Sequence, residues 1–324
     1  MQSFSLLRPT DQRAAIAAAS ASGTRYIAGG TDLVQLMQEF IETPATLVDL
    51  DGLPLDQISA DARGLRLGAL VRMSDAAAHP SVVADYPAIS QALLSAASPQ
   101  VRNMGTIGGN LLQRTRCPYF RDLGFACNKR TPGAGCPAID GQNRNLAIFG
   151  GSAQCIATHP SDMPVALTAL DAVVVIAGAE GERRVRLADF YLLPGNTPWR
   201  ETVLAPGELI TAIQVPAAPF TRHSHYLKLR DRASFAFALV SAAVALDTRD
   251  GVIQQARIAL GGVAPKPWRA AAAEAALRGR NTDDPATFAA AAALATEGAQ
   301  PASRNAFKLR LAERAVARAL AELA

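Results

Sequence analysis

Apolar positions along this chain change their period several times, and each change marks an element. After Thr10 and Asp11, the run QRAAIAAASAS predicts an alanine-rich helix capped by a side chain that accepts from its first free amides. RYIA is a short strand that runs into the loop AGGTD. In DLVQLMQEFI, Leu33, Leu36, Met37 and Phe40 have the spacing of one helical face, and TLVDL follows as a second strand. GLRLGALVRMSDAAAHP alternates, turns and begins a helix. YPAISQALLSAAS places Ile89, Leu93 and Leu94 on one helical face, and a second glycine loop, NMGTIGGNLLQ, comes next.

From Arg114 to Gly151 the periodicity fades and Cys, Pro, Gly, Asn and Arg dominate. A long stretch without elements inside a compact domain is usually functional or disordered. MPVALTALDAVVVIAG then reads as a helix entering a buried strand, and ADFYLLPGNTPWRETVLAPGELITAIQVP as turns and one strand. APFTRHSH has the character of a linker, which puts a domain boundary near residue 220. YLKLRDRASFAFALVSAAVALD and QQARIALGGVAPKPWRA suggest strands of an antiparallel sheet, and the remainder is helical. Leu309, Ala312, Val316, Leu320 and Leu323 form an apolar stripe expected to pack in a core.

With 324 residues, 49% of them hydrophobic, the chain has material for two domains. Its net charge of +4 is scattered, without a basic run interleaved with aromatics, which argues against nucleic acid. No run approaches the roughly 18 apolar residues of a membrane span. The opening MQSFSLLRPTDQRAA shows no secretion signal of its own.

Two features carry chemistry. Consecutive amides in a glycine loop can converge on an anion, and a helix start behind the loop adds the positive end of its dipole. In the first loop Thr31 can add a hydroxyl, whereas Asp32 would repel a phosphate, so it should cap the helix or meet a sugar hydroxyl. Gly105 to Asn110 repeats the glycine and threonine chemistry. Neither loop matches the Rossmann or P-loop pattern, and either alone is what a plain turn needs; the pair in one domain favours a nucleotide. The second feature is the cysteines. All four, Cys117, Cys127, Cys136 and Cys155, fall in one window at separations of ten, nine and nineteen. Zinc sites usually show close Cys pairs, so this spacing alone leaves iron–sulfur, zinc and two disulfides open. Arg114, Arg116, Lys129 and Arg130 could offset the charge of a thiolate-ligated cluster, and His159 is a spare candidate ligand.

YIAGGTDLVQLM, RNMGTIGGNL and ATHPSDMPVAL together resemble the FAD-binding subunit of the xanthine dehydrogenase/molybdenum hydroxylase family. KLRDRASFAFALVSAAVAL and IALGGVAPKPWRA resemble that family's smaller C-terminal domain. The resemblance implies an α+β chain. A p-cresol methylhydroxylase-type FAD-binding domain would span 1–219, as subdomains of about 1–52 and 53–219 with an insertion at about 114–151. A C-terminal domain of antiparallel sheet plus helix bundle would span 220–324. It implies that Ile27, Ala28, Gly29, Gly30, Thr31, Asp32 and Leu33 wrap the FAD pyrophosphate, with Thr106, Gly108, Gly109 and Asn110 as the second wall. Asp162 would contact the ribityl or ribose hydroxyls, its alternative role being a helix N-cap. Lys228 and Arg230 would lie near the isoalloxazine, where a cation stabilises the reduced anionic ring; the alternative is a solvated strand face.

LLQRTRCPYF, CNKRTPGAGC and CIATHPSDM are similar to one branch of that family, bacterial periplasmic aldehyde oxidoreductases whose flavin subunit also binds a [4Fe–4S] cluster. That likeness implies Cys117, Cys127, Cys136 and Cys155 as cluster ligands. It implies an electron-transfer subunit of a molybdenum-dependent aldehyde oxidoreductase, in a heterotrimer with a large molybdenum-cofactor subunit and a small subunit carrying two [2Fe–2S] clusters. Substrate chemistry would sit on a partner, with no catalytic residue on this chain. The complex would reach the periplasm folded, on a partner's twin-arginine signal, the alternative being the cytoplasm. No additional nucleotide loop suggests NAD. Three other readings compete: a FAD subunit acting on an N-heterocycle, a stand-alone FAD oxidase of the same fold, and a zinc-stabilised nucleotide-binding protein. The oxidase needs a base near the flavin and often a His or Cys linked to it, and none stands out beside the glycine loops.

Overall fold

The computed structural model describes all 324 residues apart from the side chain of Pro285. Three sheets organise the chain. The first is parallel, with Thr46–Asp49 between Ser5–Leu7 and Thr24–Ile27. Its first crossover is the helix Gln12–Ala19, where Asp11 accepts from the Ala14 amide at 2.8 Å as the sequence predicts. The second helix, Leu33–Gln38, is shorter than its periodicity suggests. Only Leu36 and Met37 are buried; Phe40 is 50% exposed and adopts a φ of 57°. That left-handed residue closes the helix, because the Ile41 and Glu42 amides fold back onto the Leu36 carbonyl.

The second sheet runs Ile58–Asp61, Gly64–Gly68, Leu209–Pro216, Val173–Gly178 and Gly181–Arg186, all antiparallel. The helices Met73–Ala78, Pro87–Ser95 and Met163–Ala169 contribute to the same core. Ile89 and Leu93, one turn apart, are fully buried, but Leu94 is 55% exposed. It lies about 100° round the helix from Leu93, off the stripe expected to include it.

The third sheet is antiparallel: Ser224–Leu229, Val240–Arg249, Val252–Gly261 and Trp268–Arg269. Successive residues of a strand point to opposite faces. Ala243 and Ala245 therefore join the core of the second sheet, while Ala242, Val244 and Leu246 face the helices Ala271–Leu277, Pro285–Leu294 and Phe307–Ala321. This sheet is a wall shared by two cores. In the last helix Ala312, Val316 and Leu320 are fully buried, with Leu309 and Leu323 packed at the margin, so the predicted stripe is core.

Between the helices Ile107–Leu111 and Met163–Ala169 there is no further helix or strand among the described residues. The insertion still has a small core of its own, in which Phe120, Ala138 and Leu146 surround the cysteines. Its end is stitched to the C-terminal region. Asn305 Nδ2 donates to the carbonyls of Leu146 and Ala147 at 3.2 and 3.1 Å. Lys308 Nζ donates to those of Leu146 and Gly262 at 3.1 and 2.7 Å. Lys308 is fully buried, and among the described residues its ammonium meets carbonyls and no carboxylate. Burial, with a smaller push from Arg144, pulls its ammonium down to about 7.

That lysine predicts a specific pH dependence. In the unfolded chain it titrates near 10.5, so between about 7 and 10.5 the unfolded state holds the extra proton and native stability rises with pH. The gain is absent below the native pKa, where both states are protonated. Lys308→Met removes this contribution. Thermal midpoints measured across the window should climb less steeply in the variant than in the parent; parallel curves would show that Lys308 is not the source.

Candidate functional site

The two glycine loops are built against each other. A Cβ on Gly29 would lie 1.9 Å from the Met104 carbonyl oxygen, so only glycine permits this approach. Gly30 follows at a φ of 68°, turning the chain into the next helix. Opposite, the Thr106 hydroxyl accepts from the Gly109 amide at 3.2 Å and caps the short helix Ile107–Leu111. Together the loops border a cleft of about 930 Å³, near the upper end of the usual range for small-molecule sites and roomy enough for a dinucleotide.

Ile27 to Leu33, Thr106, Gly108, Gly109, Asn110, Asp162 and Lys228 all line this cleft. Arg230 alone of the predicted set does not; its Nη1 donates to the Ser95 carbonyl at 3.2 Å. Lys228 is no solvated strand residue. Its side chain is 3% exposed and its Nζ lies 2.8 Å from Asp162 Oδ2, on a carboxylate 5% exposed. Tyr226, two positions earlier on the same strand face, donates its hydroxyl to Asp162 Oδ1 at 2.5 Å. Burial first, and Asp162 second, hold the Tyr226 phenol well above its ordinary pKa. Asp162 precedes the helix Met163–Ala169 without capping it. A carboxylate offers about four acceptor positions, so it can still take a hydroxyl from the cleft.

Of the two roles expected for Asp32, the structure lacks the helix cap, while the residue does line the cleft. It stands at the N-terminus of Leu33–Gln38 without a side-chain cap bond. Its oxygens instead receive the Arg114 amide, Arg116 Nη2 and Arg121 Nη2, each at 2.8 Å. All three donors come from the insertion. Sequence reasoning also missed the segment between the strands Ser224–Leu229 and Val240–Arg249, whose Arg232, Phe235 and Phe237 line the cleft. Its signal was visible, two phenylalanines in a connection between strands, but the distance in sequence hid where it lands.

The four cysteines are free thiols and border one small apolar void together with Phe120 and Lys129. Among the described residues no three His, Cys, Asp or Glu side chains close on a point at single-ion distance; the sulfurs ring the void. Burial pushes the Cys117 thiol up to about 12, partly offset by hydrogen bonding from the Phe120 and Tyr119 amides. Burial also raises Cys136 and Cys155, while Lys129 pulls Cys155 back. Such a dry cluster becomes thiolate only around a cationic centre, so the donor set suits a bound metal group.

The expected charge offset is narrower than the sequence suggests. Arg114 pairs with Glu42 and Glu201, Arg116 with Asp32, and Arg130 donates to the Tyr119 and Phe120 carbonyls at 3.0 and 2.8 Å. Lys129 is left beside the void, 2.9 Å from Glu201 Oε1. Burial raises the Glu201 carboxyl pKa, but Arg114 and Lys129 outweigh it and hold the group below its ordinary value. His159 lines the cleft and not the void. Its Nδ1 accepts from the Ser161 amide at 3.3 Å, its ring rests 4.6 Å from that of Tyr191, and burial drops its pKa to about 4. Leu36 belongs to both places, lining the cleft and packing with the cysteines.

Two glycine loops built against each other, one leaving a parallel sheet and one joining two helices, a dinucleotide-sized cleft and a buried Lys–Asp pair define a nucleotide-cofactor protein of the flavin type. Residues 2–218 match the FAD binding domain in molybdopterin dehydrogenase and residues 225–323 the CO dehydrogenase flavoprotein C-terminal domain, and the chain belongs to this family of molybdenum hydroxylase flavoproteins. It is 52% identical to the aldehyde oxidoreductase FAD-binding subunit PaoB of Escherichia coli (strain K12), over 97% of this chain and 95% of that subunit. It is 30% identical to the carbon monoxide dehydrogenase medium chain of Afipia carboxidovorans, over 93% and 88% of the two chains. Among solved structures, quinoline 2-oxidoreductase from Pseudomonas putida 86 superposes with a TM-score of 0.77 at 28% identity, over 99% of this chain and 97% of that one.

The Asp162–Lys228 pair can be tested by a double-mutant cycle. Asp162→Leu alone leaves a buried ammonium unpaired and should cost about 3–5 kcal/mol. Adding Lys228→Met should recover most of that loss, read as the midpoint of denaturant unfolding. If the two losses simply add, the pair is not coupled.

Proposed function

We propose that this chain is the FAD- and [4Fe–4S]-carrying electron-transfer subunit of a molybdenum-dependent aldehyde oxidoreductase. The observation that carries the reading is the convergence of four free thiols on one dry void, one helix away from the cleft of a FAD-binding family. The aldehyde substrate class is supported by the relative of 52% identity, an aldehyde oxidoreductase subunit. The reading includes a heterotrimer with a large molybdenum-cofactor subunit and a small subunit carrying two [2Fe–2S] clusters, exported folded to the periplasm on a partner's signal. Its relative from Afipia carboxidovorans is a medium chain, which supports the multi-subunit assembly.

FAD, when bound, connects one-electron iron–sulfur carriers to an external acceptor. This chain's residues hold and orient it: the loop from Ile27 to Leu33 and the wall from Thr106 to Asn110 enclose it, and Asp162 and Lys228 present fixed charge at the cleft. Cys117, Cys127, Cys136 and Cys155 would hold the cluster. The chain takes no part in aldehyde binding.

Anaerobic purification of the full chain should yield one FAD and about four iron atoms per chain, with flavin bands on a broad iron–sulfur absorbance. Replacing any of the four cysteines with serine should lower iron content. Cys155 stands seven residues before Asp162, so its loss should disturb flavin most, and loss of Cys127, in mid-insertion, least. Zinc in place of iron would sink the cluster assignment, and a flavin-free, iron-free protein would sink the whole reading.

A further inference from the structure

Arg116 occupies a position that neither cofactor assignment accounts for. It lies in the insertion immediately before Cys117, yet it lines the cleft and not the cysteine void. Its Nη2 meets Asp32 Oδ1 at 2.8 Å, on the first glycine loop. The centre of the same guanidinium sits 4.8 Å over the ring of Phe237. Phe237 belongs to the connection between the strands Ser224–Leu229 and Val240–Arg249, so it reaches the cleft from the C-terminal region. One side chain thus touches both walls. Its Nε is buried and has no partner in the protein, so an acceptor from a bound ligand would satisfy it.

The connection carrying Phe237 is braced within itself, Arg232 Nε donating to the Phe235 carbonyl at 3.0 Å, but has few side-chain ties to the rest of the chain. Phe235 is held at a φ of 48°, an uncommon conformation for phenylalanine, and Phe235 and Phe237 are both about half exposed. A second tether, Arg144 to Asp231 at 2.9 Å, also comes from the insertion, but both of its side chains are about half exposed, and such pairs hold weakly. The Arg116–Asp32 contact is more sheltered, its side chains 25% and 15% exposed, and the cation over the Phe237 face adds to it.

We propose that Arg116 is a positioning residue that joins the glycine-loop wall of the cleft to its C-terminal wall, so that the cysteine insertion governs how long the cofactor is retained. The inference rests on the reading that this cleft holds FAD. Asp32 and Phe237 are the two ends of the strut, and Arg116 is a cofactor-retaining residue contributed by a segment that otherwise serves the cysteines.

The test is the rate of FAD release from the full chain, followed by the rise in flavin fluorescence after dilution. Arg116→Ala and Phe237→Ala should each release FAD about tenfold faster than the parent. The double variant should be no faster than the faster single variant, because both remove one contact. Asp231→Asn should change the rate less than about twofold. Phe237→Tyr, which keeps the ring, should restore slow release, and Phe237→Leu should not; Phe237 is half exposed, so these variants fold even if Arg116→Ala does not. Parental release rates in Phe237→Leu and Arg116→Ala, or single effects that multiply in the double variant, would overturn the strut. A parent chain that binds no FAD would instead overturn the assignment of the cleft.

Discussion

Asp32 holds the functional half of this protein together. Its carboxylate stands at the end of the first glycine loop and receives a backbone amide and two guanidinium groups from the insertion. Hydrogen bonds to a charged acceptor are worth about twice neutral ones, and two of them converge here with the Arg116 ion pair. They fix the loop that borders the cleft, and they fix the segment from Arg114 to Arg121 that leads into the cysteine void. Arg114 extends the same network to Glu42 and Glu201, and Glu201 reaches Lys129 beside the void. The cleft and the cysteine cluster are therefore two ends of one ionic scaffold.

The second organising constraint is the shared sheet. Alternation along Val240–Arg249 sends one set of side chains into each of two cores, so neither core closes without that strand. Lys228, on the adjacent strand, crosses to Asp162 at the start of the helix Met163–Ala169. A buried ion pair adds little net stability, but breaking it strands a charge. The pair thus ties the sheet to the cleft wall and places charge at the cleft.

The insertion answers a different problem. Its own core is small and it forms no helix or strand. What orders it is attachment at both ends: the arginine network at Arg114 to Arg121, and the bonds from Asn305 and Lys308 to Leu146. Between these anchors the thiols are packed tightly enough that burial keeps Cys117, Cys136 and Cys155 protonated without a cationic centre. Metal binding and ordering of such a segment are the same free energy read in two ways.

Local pattern was enough for much of this. The period of the apolar residues fixed the helices Gln12–Ala19 and Phe307–Ala321, because those faces answer only to burial along one element. The glycine loops were legible because close backbone approach and a positive φ exclude other residues, as Gly29 and Gly30 show. The clustering of cysteines in one window pointed to a common place, and the structure puts all four thiols around one void. Sequence could not say that Asp32 binds arginines of the insertion, that Asp162 meets Tyr226 and Lys228, or that Arg230 turns to the Ser95 carbonyl. Nor could it place Phe237 over Arg116 across more than a hundred residues of chain. Motifs report what a residue can do with its neighbours in sequence. The partner of a charged or aromatic side chain is decided by which elements pack together, and that is set by the shape of the cores.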